Sequence, residues 1–170
     1  MSVSTMDYGI AGQPAPEFRF DTWLNSPNNE VALADVDALV GSLYHFQSWC
    51  PGCDSDRFPA LAAVKAHFDT AGRSDQVRFI ALQMVFEGCD DNTEQAVRES
   101  MECHGLSDIA LGHDASSPPT IMADYRTGGT HWTVLIGPDR TVLADGFQID
   151  AEAAIESLIN EVNNLTGETL

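Results

Sequence analysis

The chain predicts an α/β domain whose central mixed sheet is flanked by helices. Three observations lead there. An apolar run, Leu43-Tyr44-His45-Phe46-Gln47, reads as a strand and leads into Trp49-Cys50-Pro51-Gly52-Cys53, after which a helical pattern begins. The stretch from Val77 to Phe86 is apolar except for Arg78 and Gln83, as a central strand covered on both faces requires. Near the end, two strand patterns flank Gly137-Pro138-Asp139-Arg140, a hairpin turn, and an amphipathic helix follows.

The elements follow in order. Residues 1–16 carry Gly9, Gly12, Pro14 and Pro16 and predict a loosely held segment of the single domain 1–170. Glu17-Phe18-Arg19-Phe20 alternates like a short strand, and Asn25 to Glu30 is a turn cluster. The first core strand covers residues 41–47. Asp54 to Ala71 is helical, with Leu61, Val64 and Phe68 on one face, Gly72 as its stop, and Pro59 either starting or kinking its regular part. After the strand at Val77, Asp91 with Glu94 three residues on spells a capping box, and Gly105 ends that helix. Residues 105–131 read as a long irregular connection, a kind of segment that is more often functional than not. Trp132–Ile136 and Thr141–Ala144 form the hairpin. Asp150 then caps a helix whose Ile155, Leu158, Ile159 and Val162 share a face. The order βαβ, α, ββα implies a parallel pair with a right-handed crossover and an antiparallel hairpin in one sheet.

Eight basic residues against 26 acidic ones give a net charge of −18, with Lys65 the lone lysine. Such a surface repels nucleic acid and anionic membrane, which both need basic patches. No apolar run reaches membrane-spanning length, and Met1 to Gly12 shows no signal-peptide pattern, so a cytoplasmic setting is expected. The Cys50-Pro51-Gly52-Cys53 spacing, which suits a redox dithiol, makes a protein or small-molecule disulfide or dithiol the expected partner; no cofactor is expected.

The chemistry sits in the cysteine motif. A strand feeding a Cys-x-x-Cys that opens a helix builds a redox-active dithiol, because unsatisfied N–H groups and the helix dipole stabilise a thiolate there. A structural zinc site would want a second Cys-x-x-Cys or a close Cys/His pair, and none is spelled. Cys89 and Cys103 lack the strand–turn–helix context and read as buried or idle thiols. Trp49 offers a flat apolar apron for a partner polypeptide.

This order of elements, with Cys-x-x-Cys at the first strand–helix junction, resembles the thioredoxin-like fold, and more narrowly its TlpA/ResA-like and AhpC/TSA-redoxin branch. Pro14-Ala15-Pro16-Glu17-Phe18 is similar to that branch's G-x-x-A-P-D-F opening, and Val31 to Val36 to its V-x-L-S-D-L segment. Leu135 to Val142 is similar to its L-I-D-x-D-G-x-V hairpin. The likeness runs from about residue 12 to the end. It implies a thiol–disulfide oxidoreductase, antioxidant in broad role, working through Cys50 and Cys53.

The departures from the family pattern matter as much. Such proteins place a cis-proline before the hairpin, facing the dithiol. Here the matching stretch is Gly129-Thr130-His131-Trp132, so Thr130 and His131 join Pro51 and Gly52 as groove or relay candidates, and Pro118-Pro119-Thr120 is the competing match. A non-proline residue there predicts a trans peptide, since the cis form costs about 2.5–4 kcal/mol. The buried aspartate that thioredoxin carries six residues before its first cysteine is Tyr44 here, and Asp56 is the nearest match to the acid that ResA-like proteins place after the second. A peroxiredoxin-type Pro-x-x-x-Thr/Ser-x-x-Cys fits neither cysteine: Leu43 and Gln47 precede Cys50, Phe46 and Cys50 precede Cys53. Two rival readings are a thiol peroxidase without that pocket, and a metal or iron–sulfur module on Cys50, Cys53 and His131. Among other residues, His45 and Glu87 read as ordinary strand and loop residues near the site, His67 as surface, and His104 and His113 as loop or helix-end residues. Tyr125-Arg126 reads as a support for the loop carrying His131.

Overall fold

The computed structural model describes residues 7–20, 22–24, 33, 40–46, 58–85, 90, 93–147 and 149–167. Nine elements follow one another: β1 (Val40–Phe46), α1 (Phe58–Thr70), β2 (Val77–Met84), α2 (Glu94–Cys103), β3 (Ala110–Asp114), α3 (Thr120–Asp124), β4 (Trp132–Ile136), β5 (Val142–Gly146) and α4 (Ala151–Thr166). The sheet order is β3-β2-β1-β4-β5. β1, β2 and β3 run parallel, whereas β4 is antiparallel to β1 and β5 to β4.

Both parallel crossovers step outward in the same direction, from β1 to β2 and from β2 to β3. Right-handed connections therefore put α1 and α2 on the same face. Their apolar sides meet the sheet there: Phe58, Leu61, Val64 and Phe68 from α1 and Val97 and Met101 from α2 pack with Phe79, Ala81 and Leu111, joined by Ala154, Leu158 and Val162 of α4. The opposite face is covered by α3 and by the N-terminal segment, which enclose Ile80, Leu82, Trp132, Val134 and Ile136 with Ile121 and Tyr125.

The N-terminal segment closes the sheet at both edges, where unpaired strands would otherwise invite association. Along β5, Gly12 donates to Val142 O, Ala15 to Arg140 O, and Val142 back to Gln13 O. Along β3, Leu24 donates to Leu111 O and His113 to Thr22 O. Between them Phe18, Phe20 and Trp23 form an aromatic cluster, with Phe20 and Trp23 centroids 4.8 Å apart. The Phe20 ring lies so close to Gly112 that a Cβ there would sit 2.6 Å from it, which is why β3 carries a glycine at its centre. The composition of residues 1–16 predicts a loosely held strap; residues 7–16 are instead bound through this ladder and through Gly9 to Arg126 O. Residues 1–6 lie outside the described residues.

Several other expectations change. The connection 105–131 contains β3 and α3, so the order is βαβαβαββα. Glu17 to Phe20 form no strand, and the bridges on either side are the isolated pairs Pro14↔Thr141 and Trp23↔Gly112. The N-cap of α2 is Thr93, whose hydroxyl accepts from Ala96 N at 3.1 Å, in place of Asp91. Pro59 starts α1 rather than kinking it, consistent with proline's fit to a first helical turn. Asp150 caps α4 as its spacing predicts, accepting from Ala153 N at 2.8 Å.

Candidate active site

The topology gathers one end of the sheet. The parallel strands β1, β2 and β3 finish there, β4 begins there, and β5 ends there. In open α/β sheets this carboxyl end is where ligands and reacting groups collect. β1 stops at Phe46 and α1 starts at Phe58, so residues 47–57 connect the carboxyl end of a central strand to a helix N-terminus. Trp49, Cys50, Pro51, Gly52, Cys53 and Asp56 fall in that connection and lie outside the described residues, as do Glu87 and Cys89. Among the described residues, no acid occupies the first turn of α1.

Thr130 and His131 stand beside the same strand end. His45 pairs with Trp132 across β1 and β4, which puts His131 one residue beyond the last pair, alongside the exit of β1. Both residues are half-buried. The Thr130–His131 peptide is cis, against the trans form expected for a non-proline residue. Ser117–Pro118 is also cis, but it lies between β3 and α3, two strands away from β1, so it does not face the β1 exit.

The loop carrying His131 is anchored at both ends. Upstream, Tyr125 is fully buried and its hydroxyl donates to Pro16 O at 2.7 Å. Its burial pushes the phenol's pKa well above the ordinary value. Arg126 donates to Asp7 O, and the Thr127 hydroxyl reaches Met84 Sδ at 3.8 Å. Downstream, Phe147 packs edge-on against Trp132, with centroids 4.8 Å apart, and against His131 at 6.3 Å.

Tyr44, at the position of thioredoxin's buried aspartate, is 3% exposed and meets Phe58 edge-on at 5.5 Å. It lines a cleft with Leu61, Thr133, Asp150 and Ala154 between α1 and α4. A buried phenol thus lies against the start of α1.

Two features were invisible to local sequence reading. His113 belongs to β3 rather than to a loop, and its Nδ1 lies 2.9 Å from Nε2 of the fully buried Gln83 on β2. Burial holds its imidazole below the usual histidine range, partly countered by Glu94 and Asp114. Asp114, also fully buried, accepts from Ser116 N at 3.1 Å, Thr120 Oγ1 at 2.9 Å and Ile121 N at 3.0 Å, fixing the turn into α3. His104 caps α2 and stacks on Phe58, centroids 5.4 Å apart, while His67 is exposed as expected. Cys103 is a free, exposed thiol, not a buried one. Among the described residues no group of three or more His, Cys, Asp or Glu stands together to hold a metal ion. No described helix is long and apolar enough to cross a membrane.

No family model and no curated protein matches the chain. Solved structures do. A crystal structure of a thioredoxin-like superfamily protein superposes with a TM-score of 0.73 at 28% identity, covering 92% of this chain and 97% of that one. A thiol-disulfide isomerase from Corynebacterium glutamicum gives a TM-score of 0.67 at 26% identity, covering 91% and 98%. The thioredoxin domain of a thiol-disulfide oxidoreductase from Bacteroides vulgatus shares the fold, with a TM-score of 0.68 at 15% identity over 91% and 99%. The strand order, the strand–helix junction at residues 47–57 and these likenesses together identify the chain as a member of the thioredoxin-like superfamily.

Proposed function

We propose that this protein is a thiol–disulfide oxidoreductase whose dithiol is Cys50 and Cys53. The observation that carries the reading is the convergence of two segments. The connection holding Trp49-Cys50-Pro51-Gly52-Cys53 leaves β1 for the N-terminus of α1, and the Thr130–His131 loop abuts the same exit. The name of the Corynebacterium glutamicum relative, a thiol-disulfide isomerase at 26% identity, supports the same chemistry.

The reaction proceeds by exchange. Cys50, as the thiolate favoured at a helix N-terminus, attacks one sulfur of a substrate disulfide. A Cys50–substrate disulfide forms and the other substrate sulfur leaves as a thiolate, which takes up a proton. Cys53 then loses its proton and attacks the Cys50 sulfur, forming the Cys50–Cys53 disulfide and releasing the second substrate thiol. The substrate gains two electrons and the dithiol loses two. Reversal of the same steps oxidises a substrate dithiol, so direction follows the reduction potential; family values span about −270 to −120 mV.

The test is reduction of insulin disulfides under dithiothreitol beside hydroperoxide consumption, with the Cys50–Cys53 potential measured by equilibration against glutathione. Insulin reduction that is lost in Cys50→Ser supports the reading. Peroxide turnover without insulin reduction replaces it with a thiol peroxidase. Tight metal retention by the reduced protein with neither activity replaces it with a binding module on Cys50, Cys53 and His131.

A further inference from the structure

We propose that Phe147 is a positioning residue that holds the Gly128–His131 loop, and through it sets a preference for polypeptide disulfides over small ones. The proposal rests on the thiol–disulfide reading above and assigns part of its specificity to a residue outside the cysteine motif.

Phe147 follows β5 at the sheet end where β1 exits and β4 begins, and it is only half-buried. Its ring stands edge-on to the last residue of the loop and the first of β4, at 87° to His131 and 80° to Trp132. The loop is built to admit it. A Cβ on Gly128 would lie 3.0 Å from both the Phe147 and Trp132 rings, tighter than ordinary contact. Gly129 at φ 141° and Gly146 at φ 147° take backbone conformations that side chains rarely adopt, one on each side of the contact. Two glycines therefore bend the facing segments so that a single aromatic ring closes the gap between them.

The consequence is selective. A small disulfide carries little beyond its two sulfurs and so has little to lay against this loop. A polypeptide disulfide brings flanking backbone and side chains that must lie along the neighbouring segment, which is Gly129-Thr130-His131. Holding that segment before binding removes an ordering cost from the polypeptide alone. Loss of the Phe147 ring should therefore raise KM for polypeptides and leave kcat and small disulfides nearly untouched.

The experiment compares wild type, Phe147→Ala, Phe147→Tyr and Gly128→Ala on insulin and on dithiobis(nitrobenzoate), with His131 imidazole resonances followed by NMR. Phe147→Ala should raise KM for insulin roughly three- to tenfold, the effect of one lost aromatic pair. Its rate with the small disulfide should stay within about twofold, and Phe147→Tyr should restore the wild-type KM. Gly128→Ala, which pushes the ring away from the other side, should mimic Phe147→Ala and serves if that variant folds poorly. The His131 resonances should shift in Phe147→Ala as the ring current is lost. An equal slowing on both substrates, an unchanged insulin KM, or unmoved His131 resonances overturns the proposal. If wild type reduces neither substrate, the thiol–disulfide reading fails and the specificity role with it, whereas the His131 shift still reports the contact on its own.

Discussion

Asp114→Ala removes a carboxylate that is fully buried and accepts from two backbone N–H groups and one hydroxyl. Alanine supplies no acceptor, so the buried Ile121 amide loses its partner, as do the part-buried Ser116 amide and Thr120 hydroxyl. A hydrogen bond to a charged group contributes about 1.5–3 kcal/mol, and an orphaned buried donor costs about 1–3 kcal/mol. The three bonds share one carboxylate and are not additive, so the loss expected is about 3–5 kcal/mol. For a chain of this size that lowers Tm by on the order of 10 °C. Asp114→Asn separates charge from shape: it keeps the volume and one acceptor, but turns an NH2 toward donors, so it should fall between wild type and alanine. Urea unfolding monitored by Trp fluorescence gives the midpoint and slope. A midpoint shift at constant slope carries the loss as stability. A change below about 1 kcal/mol in Asp114→Ala would refute the reasoning, because this carboxylate is then not what holds the turn into α3.

Three further outcomes follow from other residues. His113 titrates below its ordinary value in the folded protein because it is partly buried, so the unfolded chain binds its proton first and acid favours unfolding. Stability contributed by the neutral imidazole is full above the unfolded pKa of about 6.5 and falls as pH drops from there toward the folded value. His113→Gln should therefore lose less Tm than wild type between pH 7 and pH 5, and an identical loss contradicts the assignment. The net charge of −18 repels itself, so Tm should rise from low salt to about 1 M, where the Debye length is near 3 Å; a flat or falling Tm argues against self-repulsion. Replacing Cys89 and Cys103 together by Ser should leave insulin reduction within about twofold, since neither has a second cysteine at Cys-x-x-Cys spacing. A large loss in a folded protein would mean that these thiols relay electrons.

What the sequence revealed depended on whether an element was specified locally. Periodicity and punctuation marked β1, α1, β2, the β4–β5 hairpin and α4, because Gly72, Pro138-Asp139 and Asp150 stop or start them within their own segments. β3 escaped because Gly112-His113-Asp114 breaks an apolar run of three residues; its strand character comes from pairing with β2 and from the Phe20 ring over Gly112. α3 is five residues long and is set by Asp114, six residues upstream of its first residue. The cap of α2 was ambiguous because Asp91-Asn92-Thr93 offers three capable side chains in a row. The strap of residues 7–24 was not legible as a cover for the sheet edges, as its bonds join positions more than eighty residues away. In the site, the cysteine motif was readable from its spacing and the Thr130–His131 stretch from its resemblance to the family's segment before the hairpin. Phe147 was not, since it lies beyond the strand pattern of Thr141–Ala144, and β5 runs on to Gly146.

The proposed exchange requires Cys50 to attack and Cys53 to resolve. The direct measurement is intact-protein mass spectrometry of reduced Cys53→Ser and Cys50→Ser after brief exposure to a disulfide-bonded peptide, with peptide mapping of any adduct. Cys53→Ser should accumulate one peptide per chain on Cys50, and Cys50→Ser should stay essentially unmodified at Cys53. Adducts that form on Cys53 in Cys50→Ser, with none on Cys50 in the other variant, would contradict the account.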